Sequence, residues 1–379
     1  MKTYIKILPI AILLSACMDT TNNGSGTRSE TVTSAAALSP AITLDAEKML
    51  IGGKTVFNHP ACNLNYYPDF YPVVTTAEIE FAGDTDDIET TYPRHFSALS
   101  AASMKSVSAA KRLKEEIITQ ARGKSLIKLT PSYTDVSVNR MIQPVIVGYA
   151  HHKNMYAQEE QKEVEDWLNS IIDRIDRDPF QRGFPRYHNV RYRNEMNQIY
   201  LGVATENTSR FNRAIKAYKD AVDGMRADGS FVNDSSRGGS SINYTASSIS
   251  HLVMIAEMAA VQGVDVYSYR DGHIHEGIKF LLDITKDPSL ILPYSSVGND
   301  RNEIWETKGK EYDYKNPYNG WNTYPRADFI FYYINRFPSS ENAKRLKQGE
   351  YYKRIRSGNV NKKWDFAAMT GGPSACFAN

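Results

Sequence analysis

The residues best suited to chemistry lie between Tyr187 and Glu257, where Asn189, Arg237 and Tyr244 stand at spacings that suit one reaction on an acidic sugar. An asparagine amide donates a hydrogen bond to a carboxylate, and arginine adds charge and a planar fork matched to the same group. Tyrosine can move a proton. Its ordinary pKa of about 10 is too high for a base at neutral pH, but a nearby guanidinium favours the phenolate and lowers it. Arg237, seven residues before Tyr244, is the expected neighbour. Arg182, Arg186, Arg191 and Arg193 crowd the same segment, and Arg326 with Trp321 and Tyr324 forms a second group. A polyanion threading a cleft needs such cations. Taken singly, each residue has an ordinary explanation: Asn189 as a helix cap, Arg237 as a turn residue beside Gly238 and Gly239, Tyr244 as a core tyrosine, the arginines as a solvated helix face. Only the combination points to a site.

The elements that must position these residues read as helices. Val164, Trp167, Leu168, Ile171, Ile172 and Ile175 form one apolar stripe with charges opposite. Phe211, Ala214, Ile215, Tyr218, Ala221 and Val222 form another, ended by the Asp228-Gly229 turn. A third runs through Ile249, Leu252, Val253, Ala256 and Met258 to Ala260 and closes at Gly263. Strand signals are sparse, so the expected fold class is all-α, built from antiparallel helix pairs. Periodicity alone leaves bundle, solenoid and toroid open. Residues 50–100 are turn-rich and tyrosine-rich and are expected to be irregular, with at most one short helix.

Bulk properties exclude some partners. With 41% apolar residues the chain can bury a large core. Lys and Arg number 45 against 43 Asp and Glu, so whole-chain charge gives no reason to expect nucleic acid. Any anionic ligand must meet a local cluster of cations. The 24 tyrosines offer rings for stacking on sugars, although most must serve as core. His273 and His275 are too few and too close for a metal site, and no glycine loop cradles phosphate. No metal or cofactor is expected.

The N-terminus reads as a targeting segment. Lys2 and Lys6 precede the apolar run Ile7 to Leu14, which is too short to span a bilayer as a mature helix. Leu14-Ser15-Ala16-Cys17 resembles the bacterial lipobox, in which the cysteine is acylated. The expectations are a signal peptide over 1–17, lipidation at Cys17, a flexible tether over 18–45 and one domain over 46–379. Periplasmic residence on the outer membrane follows, through the N-terminal lipid anchor, with a monomer expected. Cys62 and Cys376 would then lie in a compartment that permits a disulfide.

From Glu163 to Phe377 the chain resembles the alginate lyases of polysaccharide lyase family five. The resemblance rests on Glu165-Asp166-Trp167-Leu168, the helix Phe211 to Asp223 with its Asp228-Gly229 turn, and Arg237 with Tyr244 running on to Leu252-Val253-Met254-Ile255-Ala256-Glu257. Gly263-Val264-Asp265, Asn335-Arg336-Phe337-Pro338 and Gly371-Gly372 complete it. It implies an incomplete α/α toroid with a deep cleft for a uronic acid polymer. The family's Asn-Asn-His signature falls on His188-Asn189-Val190, so the second asparagine is kept and the histidine is replaced by Val190.

The resemblance implies β-elimination at a uronic acid, with Asn189 and Arg237 neutralising the C6 carboxylate and Tyr244 acting as base and acid. His188, Arg191, Tyr192, Arg193, Trp321 and Tyr324 are the candidate substrate-binding residues. A syn elimination, with one tyrosine handling both protons, needs no histidine at 190, and this favours a mannuronate- or glucuronate-type polymer. His188, read as lying on the same helix, would point about 200° from Asn189's neighbour and away from the site. The alternative is a catalytically impaired, lyase-like protein that binds exopolysaccharide. A third, hydrolytic reading would need a pair of carboxylates such as Asp228 and Asp234.

Overall fold

A computed structural model describes residues 42–49, 69–74, 88–127, 133–184, 187–237, 241–295 and 329–357, all within one compact unit that begins at Ile42. Among them the chain forms helices and connecting turns; its single β-type pairing is the isolated bridge between Met225 and Phe231. The helices are α1 (Ile88–Ser103), α2 (Val107–Arg122), α3 (Tyr133–Met141), α4 (Gln143–His151), α5 (Gln158–Arg177), α6 (Pro179–Gly183) and α7 (Asn189–Ala204). They continue as α8 (Thr208–Asp223), α9 (Val232–Ser235), α10 (Ser241–Val261), α11 (Tyr269–Gly272), α12 (Ile274–Lys286) and α13 (Leu292–Ser295). The last three described are α14 (Phe329–Arg336), α15 (Glu341–Lys347) and α16 (Glu350–Arg356).

Two layers result. Helices α1, α4, α7, α10 and α14 pack side by side in that order, and α2, α5, α8, α12 and α15 cover them. This is the α/α arc that the resemblance implies. The outer helices follow their sequence stripes. In α5, Val164, Trp167, Leu168, Ile171, Ile172 and Ile175 are the buried residues. Glu159 and Glu160 at its start and Arg174 and Arg177 at its end complement the helix dipole. Helix α8 begins at Asn207, whose side chain accepts from Arg210 N at 3.1 Å, and buries Phe211, Ala214, Tyr218, Ala221 and Val222. Its close return against α7 depends on Gly202: a Cβ there would stand 2.9 Å from the Phe211 nitrogen. Gly229, at φ 85°, has Glu276 and Gly277 backbone within 2.6 Å of where a Cβ would lie, so the Asp228-Gly229 turn packs directly on α12.

The inner helices are buried nearly all round. Every residue of α7 except Arg191 is buried, including Asn189, Arg193, Asn194, Asn197 and Gln198. Asn197 donates to the Asn139 backbone oxygen at 2.7 Å, tying α7 to α3. On the opposite face of α7, Glu195 accepts from Arg213 of α8, whose guanidinium also holds Asp176 of α5.

Two expectations are corrected. The helix in the N-terminal region is not short: α1 runs 16 residues from Ile88 and buries Tyr92, Phe96 and Leu99 in the core. Packing also begins inside the stretch read as tether. Leu44 is buried, Asp45 N donates to Gln262 Oε1 at 2.8 Å, and Gln262 Nε2 returns a bond to the Asp45 carbonyl at 3.0 Å. The polar composition of 18–45 concealed this reciprocal pair, whose partner lies 217 residues away. The anchor, Cys17, Cys62 and Cys376 lie outside the described residues.

Candidate functional site

The site is assembled at the corner where α9 turns into α10 and the first turn of α7 comes against it. Three ties bring these segments together. Asn233 Nδ2 donates to the Tyr187 carbonyl at 2.6 Å, the Tyr192 and Phe231 rings sit 6.2 Å apart, and the Tyr187 ring lies against Gly224, which has no side chain to obstruct it.

Arg237 and Tyr244 meet as the sequence spacing suggests. The guanidinium carbon stands 4.1 Å from the centroid of the Tyr244 ring, a cation–π stack between the end of the α9 segment and the first turn of α10. Both residues are partly exposed. The Arg237 backbone N–H donates to the Asp234 carbonyl at 3.2 Å, which closes the turn after α9. Asn189 is the first residue of α7 and is buried, with Oδ1 meeting no hydrogen-bond donor among the described residues. Such an acceptor carries a desolvation cost that marks it as functional or as awaiting a partner. Val190, where the family pattern has histidine, is buried.

His188 is not on the helix. It is the N-cap of α7, with extended φ and ψ; its Nδ1 accepts from Val190 N at 3.2 Å and its ring stacks on Phe184 at 4.6 Å. The 200° argument therefore fails, because a cap residue stands outside the helical rotation. Two other candidates for substrate contact are turned inward. Arg193, 2% exposed, donates from Nε to His251 Nε2 at 3.2 Å, bridging α7 to α10. Tyr192 is buried, and that burial pushes its hydroxyl well above the usual range, with the charge of Asp234 adding to the shift. Arg191 remains partly exposed on the same turn. Trp321, Tyr324, Arg326 and Arg186 lie outside the described residues.

Sequence reading missed Asp234, Ser248 and His251 as members of this corner. Asp234 was weighed only as half of a hydrolytic pair. It is 1% exposed, and burial pushes its carboxyl up to about 7, against the hydrogen bond from Ser248 and the charge of Arg237. Asp228 is elsewhere engaged, accepting from Ser230 N at 3.0 Å and from the Tyr294 hydroxyl. The two carboxyls thus have separate structural roles, and nothing pairs them. A signal for the rest was present: Tyr244, Ser247, Ser248 and His251 follow i, i+3, i+4, i+7 along one face of α10, and Asn189, Arg193 and Asn197 repeat every four residues in α7. The Arg193–His251 bond is where the two polar stripes meet. His273 and His275 are spent on the Arg226 carbonyl at 2.9 Å and the Tyr333 hydroxyl at 2.8 Å. Among the described residues no cluster of His, Cys, Asp or Glu could hold a metal ion.

Comparison with known proteins agrees with this architecture. Alginate lyase A1-III from Sphingomonas species A1 superposes with a TM-score of 0.64 at 19% identity, over 89% of this chain and 97% of that one. A variant of A1-III complexed with a tetrasaccharide gives 0.65 at 18% identity, over 90% and 97%. In sequence, an alginate lyase of Pseudomonas syringae pv. syringae is 25% identical over 161 residues, 42% of each chain. An alginate lyase of Pseudomonas fluorescens is 29% identical over 160 residues, 42% of this chain and 39% of that one. The chain thus matches less than half the length of these curated relatives. The alginate lyase family model matches residues 92–291, from α1 through the turn before α13 and including Asn189, Arg237 and Tyr244. That span is more than half of the 379 residues, and the chain belongs to the alginate lyase family.

Proposed function

We propose that this protein cleaves a uronic-acid-containing polysaccharide by β-elimination. Asn189 and Arg237 neutralise the C6 carboxylate, which acidifies the C5 proton and stabilises the enolate that forms as it leaves. Tyr244 takes that proton and returns it to the O4 leaving group, so the C4–O4 bond breaks and a C4=C5 double bond remains. The observation that carries this reading is the guanidinium of Arg237 held 4.1 Å from the Tyr244 ring centroid. That contact places the cation proposed to meet the carboxylate beside the ring that carries the proposed acid–base hydroxyl.

One tyrosine handling both protons suits a syn elimination, and Val190 leaves no histidine at that position to serve an opposite face. This supports a mannuronate- or glucuronate-type polymer as substrate. The tetrasaccharide bound by a variant of the related A1-III enzyme supports a saccharide ligand in this fold. The Leu14-Ser15-Ala16-Cys17 sequence supports export and acylation at Cys17, which would hold the protein in the periplasm at the outer membrane. Of the proposed contacts, Arg191 is best placed to reach polymer, while Arg193 and His188 act by holding the helix that carries Asn189.

The test is ultraviolet absorbance of the unsaturated uronate during incubation with mannuronate-rich alginate, polyglucuronate and hyaluronate. A rise with one polymer, lost in Tyr244→Phe while polymer binding stays within a few-fold, is the expected result. Undiminished turnover in Tyr244→Phe would remove the mechanism.

A further inference from the structure

Residues 69–74 lie along the α1–α2 pair without helix or strand of their own, and side chains of α2 hold their main chain. Arg112, Glu116 and Gln120 stand four residues apart, so they share one face of that helix. Arg112 donates to the Asp69 carbonyl, Tyr71 N donates to Glu116 Oε2 at 3.2 Å, and Gln120 Nε2 donates to the Tyr71 and Pro72 carbonyls at 3.0 and 3.2 Å. Beyond the end of α2, Val74 N donates to Ser125 Oγ at 3.0 Å and Leu126 N donates to the Val74 carbonyl at 2.9 Å. Gly123 makes room for this seat. A Cβ there would stand 2.4 Å from Val73 Cγ1, although its φ of -75° suits any residue.

Polar contacts, more than burial, hold the segment. Among its side chains only Val74 is buried, while Asp69, Phe70 and Pro72 are exposed. A segment with so little apolar burial opens locally at low cost. Its anchor is the Glu116 carboxylate, itself fixed by Arg112 Nε at 2.7 Å and His95 Nε2 at 2.6 Å. The Arg112 guanidinium also covers the Phe70 ring at 5.3 Å, so the cation that Glu116 fixes meets the segment a second time.

The segment lies at the end of the inner layer that carries the site. His152 meets Ser103 at 2.7 Å and Lys153 donates to the Ala204 carbonyl at 3.0 Å, so α1, α4 and α7 have their C-terminal ends together and run parallel. Their first turns share the other end, where α7 begins at Asn189. There the Tyr71 hydroxyl pairs with Thr91 Oγ1 at 2.7 Å, in the first turn of α1.

We propose that residues 69–74 form an acid-released strap: the Glu116 carboxylate holds the segment on α2 at the site end, and protonating it frees the segment while the helices stay folded. A neutral carboxyl loses charge assistance toward His95, Arg112 and Tyr71 N and must place a proton among those donors. The groups around Glu116 are His95 and Tyr92 on α1, Arg112 on α2 and Tyr71 on the strap. Toward α5, Lys114 pairs with Glu160 and Arg122 with Glu163. Toward α4, Tyr149 donates to Glu165, His152 pairs with Ser103, and burial pushes the His151 imidazole down to about 3. Burial opposes ionisation of Glu116, but the bonds from His95, Arg112 and Tyr71 outweigh it and keep its carboxyl below the usual range. The strap is therefore held above the ordinary carboxylate range and released as pH falls through it.

The experiment is hydrogen exchange of the full-length protein, resolved at the Tyr71 and Val74 amides, corrected for intrinsic rates at each pH and referred to amides of α10. In wild type both strap amides should lose about tenfold in protection between about pH 6 and about pH 3, before α10 does. In Glu116→Gln both should already be about tenfold less protected at the higher pH, beyond any loss in α10, and should vary little with pH. Gly123→Ala obstructs the Val73 seat without touching a titratable group, so it should lower protection at both pH values and keep the acid dependence. Loss at Tyr71 alone in Glu116→Gln, with Val74 unchanged, would overturn the strap. Strap and α10 amides losing protection in equal proportion, or a wild type that does not respond to acid, would overturn the release. The measurement contains no polymer, so its outcome is separate from the lyase reading.

Discussion

Helices α5 and α8 of the outer layer and helices α7 and α10 of the inner layer are similar in length but are written by different rules. In α5 and α8, apolar residues occupy one stripe and charges the rest, so only the stripe is buried. In α7 and α10 nearly every position is buried, and polar side chains run through the helix at its own period. The outer helices obtain stability from apolar area removed from water. The inner helices spend part of theirs keeping Asn189, Arg193, Ser248 and His251 in low-dielectric surroundings, where polar groups cost free energy unless paired. In this protein, the layer best suited to holding the fold is the poorer place for chemistry.

The comparison breaks if activity and stability do not separate by layer. The largest expected effect is at the site. Arg237→Ala should lower kcat/KM by about a thousandfold, roughly 4 kcal/mol of transition-state stabilisation, with Tm changed by only a few degrees because Arg237 is partly exposed. Steady-state assays beside thermal melts would check this. Next, Leu168→Ala in α5 empties a fully buried position and should cost about 3 kcal/mol by denaturant titration, with kcat per folded molecule unchanged. A large kcat loss there would mean that the layers are not independent.

A buried charge outside the site provides the third comparison. Glu116 of α2 accepts from His95 at 2.6 Å, from Arg112 at 2.7 Å and from the Tyr71 backbone at 3.2 Å. Burial opposes its ionisation, but these bonds outweigh burial and hold its carboxyl below the usual range. Unlike Asp234, it therefore contributes stability that is present above the unfolded carboxylate range and lost as pH falls through it. Wild-type Tm should drop more steeply between about pH 5 and pH 3 than that of Glu116→Gln, and Glu116→Gln should cost about 2 kcal/mol at pH 7. The smallest effect belongs to the exposed pair Lys216 and Asp220 on α8, 2.8 Å apart. Lys216→Ala should cost about 0.3 kcal/mol in chemical denaturation, and less still in high salt.

How much was legible follows the same division. The α5 and α8 stripes could be read residue by residue because periodicity reports which face meets the core. The Arg237–Tyr244 encounter was also accessible, since seven residues across one short turn restrict where the two side chains can go. His188 was misread as helical because a cap and a first-turn residue differ only in backbone dihedrals, which depend on the Val190 N–H finding its acceptor. Arg193 was read as a substrate-binding cation because residue type reports charge, whereas the His251 that receives its hydrogen bond lies 58 positions away.

By itself the sequence determined the helical class and the outer-layer faces, because each follows from short-range spacing and side-chain chemistry, while the Asn189, Arg237 and Tyr244 set was named by the family resemblance. Only the tertiary structure decided which polar residues are buried together. Asp234 becomes a near-neutral carboxyl beside Arg237 because α9 folds it against Ser248 and out of water, and desolvation is a property of what surrounds a group, not of the group itself.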